Sequence, residues 1–220
     1  MTKLVLTTEL LCSAAKKFSR LECPISNPAL FGVTDGKAVG TFLEHRFRDY
    51  LSDLYEFDQG NSAFGIDFPS INVDMKTTSI RQPQSSCPYK SARQKIYGLG
   101  YGIILFVYDK LDDQNTRCAT LEITDTVFIE ACRTADFQMT KGLRHIVENS
   151  GNKDDLMAFM AERNLPVDEI ELEKIADDIL CNKPYQGYLT ISNALQWRLQ
   201  YRRVIEMAGD ESGIISIYKS

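Results

Sequence analysis

Asp67, Asp74 and Lys76 fall within one short stretch, GIDFPSINVDMKTTS, with six residues between the two acids and only Met75 between Asp74 and Lys76. Two carboxylates brought close together repel, and the arrangement is costly unless a cation sits between them. A hard divalent ion such as Mg²⁺ takes oxygen ligands and keeps bound waters that serve as nucleophiles. A neighbouring lysine orients or deprotonates such a water, or neutralises charge that builds on a phosphate. That chemistry hydrolyses a phosphodiester. The same three residues also suit the solvated face of an ordinary edge strand, so the choice rests on what surrounds them.

Side chains alternate between the faces of a strand. A strand over Ile71–Thr78 therefore sends Ile71, Val73, Met75 and Thr77 one way, and Asn72, Asp74, Lys76 and Thr78 the other. A preceding strand over 63–67 ends in Asp67, and FPSI is short enough to turn the chain back, bringing Asp67 to Asp74. Upstream, an amphipathic helix over about 37–55 carries the apolar stripe Val39, Phe42, Leu43, Phe47, Tyr50, Leu51 and Leu54. Glu44 borders that stripe instead of facing open water, where a surface glutamate belongs.

The stretch from Lys76 to Lys95 holds Lys76, Arg81, Lys90, Arg93 and Lys95 and no acid, although the 220-residue chain has a net charge of −5. Local fields matter more to a polyanion than net charge does. Within it, Gln82, Gln84, Ser85 and Ser86 of QPQSSCPYKSARQK, whose PQSSCP reads as a loop, are hydrogen-bonding groups for base edges or phosphates, and Arg81, Lys90 and Arg93 supply charge. A later segment, NALQWRLQYRRVIEM, reads as a helix that presents Arg198, Arg202 and Arg203 with Asn193, Gln196 and Gln200: a basic outer face or a recognition helix. The acidic run VDEIELEKIADDIL reads as a solvated helix face or a partner surface.

The remaining elements place these groups. Helices are expected over about 8–20, 92–97, 134–149, 153–163, 167–181 and 192–208. YGIILFVYDK is a continuous apolar run of the kind buried on both faces of a sheet, RCATLEITDTVFIEA a further strand, and GIISIY a closing one. The pattern predicts an α/β fold with a mixed central sheet flanked by helices, a catalytic core over 1–133 and a mainly helical part over 134–220 for DNA recognition or dimerisation. With 44% hydrophobic residues the chain can bury a sizeable core, and no apolar run approaches the roughly 20 residues of a membrane span. The protein reads as cytoplasmic. Its six cysteines are scattered without a CxxC pair, and with only His45 and His145 available they read as reduced and buried, not as a zinc site. GVTDGKAVG fails as a phosphate loop: three residues, not four, separate Gly32 from Gly36, and Ala38 follows Lys37.

An acid on a helix, followed by Asp-x6-Asp-x-Lys, resembles the PD-(D/E)xK nuclease superfamily and, within it, type II restriction endonucleases; the spacing is also similar to that of the mismatch-repair nicking endonuclease. The resemblance covers about 36–109, with Ile66 where the name motif has proline and Asp74 as the permitted acid. It implies a restriction-endonuclease-like fold, Asp67 and Asp74 as Mg²⁺ ligands, Lys76 as catalytic lysine and Glu44 as auxiliary acid. It further implies double-stranded DNA as substrate and a homodimer with one active centre per strand. A repair nickase of the same fold and a non-catalytic DNA-binding module remain open.

Overall fold

The computed structural model describes residues 3–58, 60, 65–192 and 198–220. In chain order the elements are β1 (Leu4–Val5), α1 (Thr8–Glu22), β2 (Ser26–Asn27), α2 (Gly36–Leu54), β3 (Tyr55–Glu56), β4 (Val73–Ser79), β5 (Gln84–Ser86), α3 (Ala92–Tyr97), β6 (Gly102–Asp113), β7 (Cys118–Ile129), α4 (Phe137–Glu148), α5 (Lys153–Glu162), α6 (Glu169–Cys181), β8 (Thr190–Ser192), β9 (Arg198–Gln200), α7 (Arg202–Met207) and β10 (Ile214–Lys219). The architecture is mixed α/β, as the pattern predicts.

Short polar side chains start the helices. Thr7 caps α1 by accepting from the Leu10 N–H, Asp35 caps α2 from Lys37, and Asp136 caps α4 from Met139. Asn152 and Asp155 cap α5 reciprocally.

The main sheet runs β10-β7-β6-β4, with β2 added on β7. β4 pairs with β6 in parallel, while β7 is antiparallel to both of its neighbours, β6 and β10. β6 is buried on both faces. Ile104 and Phe106 face α1 and α2, where Phe47 and Phe106 rings lie 4.8 Å apart; Ile103, Leu105 and Val107 face a second core built with Leu189, Leu199 and Tyr201. A third core joins α3 to α4, α5 and α6.

Three expectations fail. Residues 65–67, where a strand ending in Asp67 is expected, are irregular, and Phe68 forms an isolated bridge to Val73; positions 63 and 64 of that expected strand lie outside the described residues. PQSSCP is not a loop, because Gln84–Ser86 becomes a strand once β9 pairs with it. The helix expected over 192–208 is broken. Arg198 and Gln200 belong to β9, Arg202 and Arg203 open the short α7, and Asn193 and Gln196 lie outside the described residues. Tertiary pairing overrides helical periodicity there, since β9 sits between β5 and β8.

Phe47 is fully buried against Phe18 and Phe106. Phe47→Ala is therefore expected to cost about 3–5 kcal/mol in urea unfolding; a loss under about 1 kcal/mol would show that this aromatic cluster is not the centre of the core.

Candidate active site

β4 is the outermost described strand of its sheet, so every second backbone N–H and C=O along it points away from β6. Phe68 uses the pair at Val73. At Met75 the outward N–H is taken by a side chain: Asp67 Oδ2 accepts it at 2.8 Å. The turn that brings Asp67 there is the 3₁₀ segment Pro69–Ile71, and it closes on Asn72 at φ 54°, a left-handed conformation that asparagine tolerates well. Asn72 Nδ2 also donates to the Gly100 carbonyl at 2.7 Å, holding the turn against the start of β6.

The alternation along β4 follows the pattern read from sequence. Val73 and Met75 are buried against α1 and α2, and Asp74, Lys76 and Thr78 share the opposite face. Asp74 is only 3% exposed, and Lys76 Nζ meets its Oδ2 at 2.5 Å. The lysine also donates to the Met75 carbonyl at 3.3 Å. Although α2 packs on the other face, Glu44 and Arg48 reach the carboxylates around the open edge of β4. Arg48 pairs with Asp67 Oδ1, and Glu44 lines the same cleft as Lys76.

Three carboxylates thus face two cations, and their proton affinities record the crowding. Burial, then the Asp67 charge, pushes Glu44 up to about 7 against the pull of Lys76 and Arg48. Burial also lifts Asp74 to about 6 despite Lys76, and a hydrogen bond to Asp67 adds to the rise. Burial alone would raise Asp67 as well, but the bonds from Asp74 and the Met75 N–H, with the Arg48 charge, hold it below its ordinary value. With all three acids ionised, one negative charge is uncompensated, and a cation would complete the balance.

The carboxylates form an all-oxygen set suited to a hard divalent ion. Among the described residues no three His, Cys, Asp or Glu side chains come together as a metal-holding group, so an ion held by Asp67 and Asp74 would take only part of its coordination shell from the protein. That fits Mg²⁺, which keeps several waters and needs only one or two carboxylates.

An open cleft of about 1090 Å³ runs from Glu44 and Lys76 along the end of β4. Arg81, Gln82, Gln84, Ser85, Ser86 and Arg198 line it, as does Lys37. Arg81 is paired with Asp109 at 3.0 Å. The structure directs the other candidate cations elsewhere. Arg93 bonds Glu171 at 2.9 Å and Asp178 at 2.6 Å, which ties α3 to the acidic α6 and gives part of that acidic run a structural partner. The Arg203 guanidinium stacks 3.7 Å over Phe137, and Arg202 is exposed on α7. Lys90 is exposed near Gly65, at the approach to Asp67. The six cysteines are free.

A family model for the type II restriction enzyme NspV matches residues 5–216. A curated protein described as type II restriction enzyme NspV, from Nostoc sp. (strain ATCC 29411 / PCC 7524), is 63% identical over 216 residues, covering 98% of each chain. The chain belongs to the NspV family of type II restriction enzymes. It is a site-specific endonuclease that hydrolyses DNA, and DNA is its partner. No solved structure matches the chain. No helix among the described residues is long and apolar enough to cross a membrane.

The structure brings to this site Arg48 and Tyr101, which sequence reasoning passed over, and Thr78, which it placed on the Asp74 face without a role. Arg48 stands one helical turn beyond Glu44, an i,i+4 spacing that puts both on one side of α2. Thr78 continues the Asp74–Lys76 face and tethers β5, as described below. Tyr101 precedes β6 by one residue. Because Ile103 is in register with Asp74, Tyr101 shares the face of Asp74, one side-chain position along. Burial and the nearby Asp74 and Asp67 charges push its hydroxyl up to about 12. Nothing in the linear sequence marks Tyr101.

The raised acids set a sign for the pH dependence of stability without metal. Glu44 and Asp74 bind protons more tightly when folded, so their contribution to stability falls as pH rises from about 5 to about 8. In EDTA, the drop in Tm across that range is expected to be smaller for Glu44→Gln than for the parent protein. Equal drops would place Glu44 outside the carboxylate cluster.

Proposed function

We propose that the protein is a Mg²⁺-dependent type II restriction endonuclease of PD-(D/E)xK type, with Asp67 and Asp74 as metal ligands, Lys76 as the catalytic lysine and Glu44 as the supporting acid. The observation that carries this reading is the edge of β4, where the Met75 N–H locks Asp67 beside Asp74 and Lys76. When bound, Mg²⁺ supplies Lewis-acid polarisation of the scissile phosphate and a more acidic water.

The chain's own residues account for the rest. The carboxylates of Asp67 and Asp74 provide the anionic cradle. Lys76 Nζ, held between Asp74 and the Met75 carbonyl, is placed to hold the attacking water and to offset charge developing on the phosphate. Against its burial, the bonds from Asp74 and the Met75 N–H, helped by the Arg48 charge, keep the Asp67 carboxyl below its ordinary value, so the cradle retains its charge near neutral pH. Glu44, with its proton affinity near neutrality, can take up a proton from the water side.

The cleft receives the duplex, with Arg81, Gln82, Gln84, Ser86, Lys37 and Arg198 along it, Ser85 in its wall with the hydroxyl turned to Tyr201, and Lys90 and Arg202 outside it. The part from residue 134 onward supplies one wall of that cleft through β9. Each active centre serves one strand, so a homodimer gives a double-strand break in one encounter, and the enzyme works in the cytoplasm on intruding DNA.

Asp74→Ala and Lys76→Ala are each expected to lower the rate of plasmid cleavage in Mg²⁺ at least about a hundredfold, while both proteins still bind DNA in Ca²⁺. Discrete linear fragments from the parent protein support restriction, and accumulated nicked circles would instead make it a nickase. If both variants cut at the parent rate, the catalytic assignment is wrong.

A further inference from the structure

The small sheet β5-β9-β8 divides its side chains sharply between two faces. Antiparallel partners opposite one another share a face, and the register pairs Gln84 with Gln200 and Thr190, Ser85 with Leu199 and Ile191, and Ser86 with Arg198. The middle row points inward. Leu199 is fully buried, Ile191 nearly so, and the Ser85 hydroxyl lies 2.7 Å from that of Tyr201. The outer face therefore carries Gln84, Gln200, Thr190, Ser86 and Arg198: hydrogen-bonding groups throughout, one cation and no acid.

That face is fastened to the catalytic strand. Thr78, next after Lys76 on the same side of β4 and 4% exposed, accepts the Gln84 N–H at 2.9 Å and donates to the Gln84 carbonyl at 3.2 Å. From the other side, the Tyr201 N–H donates to the Pro83 carbonyl at 2.9 Å. Gln84, Ser86 and Arg198 line the cleft that reaches Lys76. One strand step of about 6.6 Å separates Lys76 from Thr78, so the sheet begins within a few base steps of the scissile phosphate.

We propose that the outer face of the β5–β9 pair reads base edges in the major groove of the DNA, with Gln84 and Gln200 as specificity-determining residues. The inference rests on the nuclease reading of the adjoining site. A glutamine amide makes a two-point contact with adenine and an arginine with guanine, whereas these groups alone would be a poor phosphate clamp. The major groove admits a two-stranded ribbon. Its two outward rungs, Gln84–Gln200 and Ser86–Arg198, stand about 6.6 Å apart, matching bases about two steps apart at 3.4 Å each. Ser85, which belongs to the same segment, is excluded because it faces the core.

The test is selection from a pool of duplexes with a randomised core, in Ca²⁺ so that no cleavage is required, followed by sequencing of the retained DNA. For Gln84→Ala and for Gln200→Ala, whose side chain is exposed, preference at one or two adjacent base pairs is expected to fall about tenfold or more. The salt dependence of binding should stay that of the parent. Uniform weakening across all sequences with a shallower salt slope would make these residues phosphate contacts and overturn the proposal; an unchanged base preference in both variants would do the same. Cleavage in Mg²⁺ separates this inference from the one it rests on. Glutamine variants that lose base preference, beside Asp74→Ala and Lys76→Ala variants that cut at the parent rate, leave the reading face standing and remove the catalytic assignment of the adjoining site. A parent that cuts, with glutamine variants that keep its full preference, does the reverse.

Discussion

A single hydrogen bond, from the Met75 N–H to the Asp67 carboxylate, is the constraint around which this site is built. An edge strand leaves amides without ladder partners, and an amide shielded from water without an acceptor costs about 1–3 kcal/mol. Here the missing acceptor is an acid from a turn eight residues earlier, so closing the strand edge and placing a carboxylate beside Asp74 are one event. Repulsion between the two acids is tempered by Arg48 on Asp67 and Lys76 on Asp74, each pair partly shielded from solvent. The carboxyl with the better donors stays ionised, and its neighbour holds a proton more firmly. The carboxylate edge is thus held in place by the protein's own charges.

From that edge the organisation runs in two directions. On one face α2 packs through Val39, Leu43, Phe47 and Leu51, and this packing fixes the helix angle at which Glu44 and Arg48 reach around β4. On the other face Thr78 couples β4 to a small sheet whose other strands come from more than a hundred residues later. The face of Asp74 and Lys76 and the small sheet are therefore fixed to one another. The basic stretch is divided by the same folding: Arg81 and Lys76 remain at the cleft, while Arg93 is spent on Glu171 and Asp178, holding the helical layer of α4, α5 and α6 to the core through α3.

Much of this was legible one residue at a time. Alternation placed Asp74 and Lys76 on a common face, the apolar run of β6 showed a strand buried on both sides, and the position of Glu44 beside the α2 stripe marked it as unusual. Each of these depends on local geometry alone, which a period of 2.0 or 3.6 residues encodes. The segment around Arg198 shows where such reasoning stops. Its spacing suits a helix, yet β5 and β8 offer it ladder hydrogen bonds, and the strand takes precedence. The arginines of that segment consequently part company: Arg198 enters the cleft and Arg203 stacks on Phe137.

The sequence by itself determined the chemistry available: two acids and a lysine at a spacing that a strand and a short turn could unite, a helix acid nearby, and a cationic stretch without opposing charge. Only the tertiary structure decided which groups meet. That Asp67 arrives on an irregular segment, that Arg48 neutralises it, that Tyr101 stands beside Asp74 and that Gln200 lines up with Gln84 all follow from strand order and register. Those are set by long-range backbone pairing and by the burial of both faces of β6, quantities to which no single stretch of the chain contributes enough to be read alone.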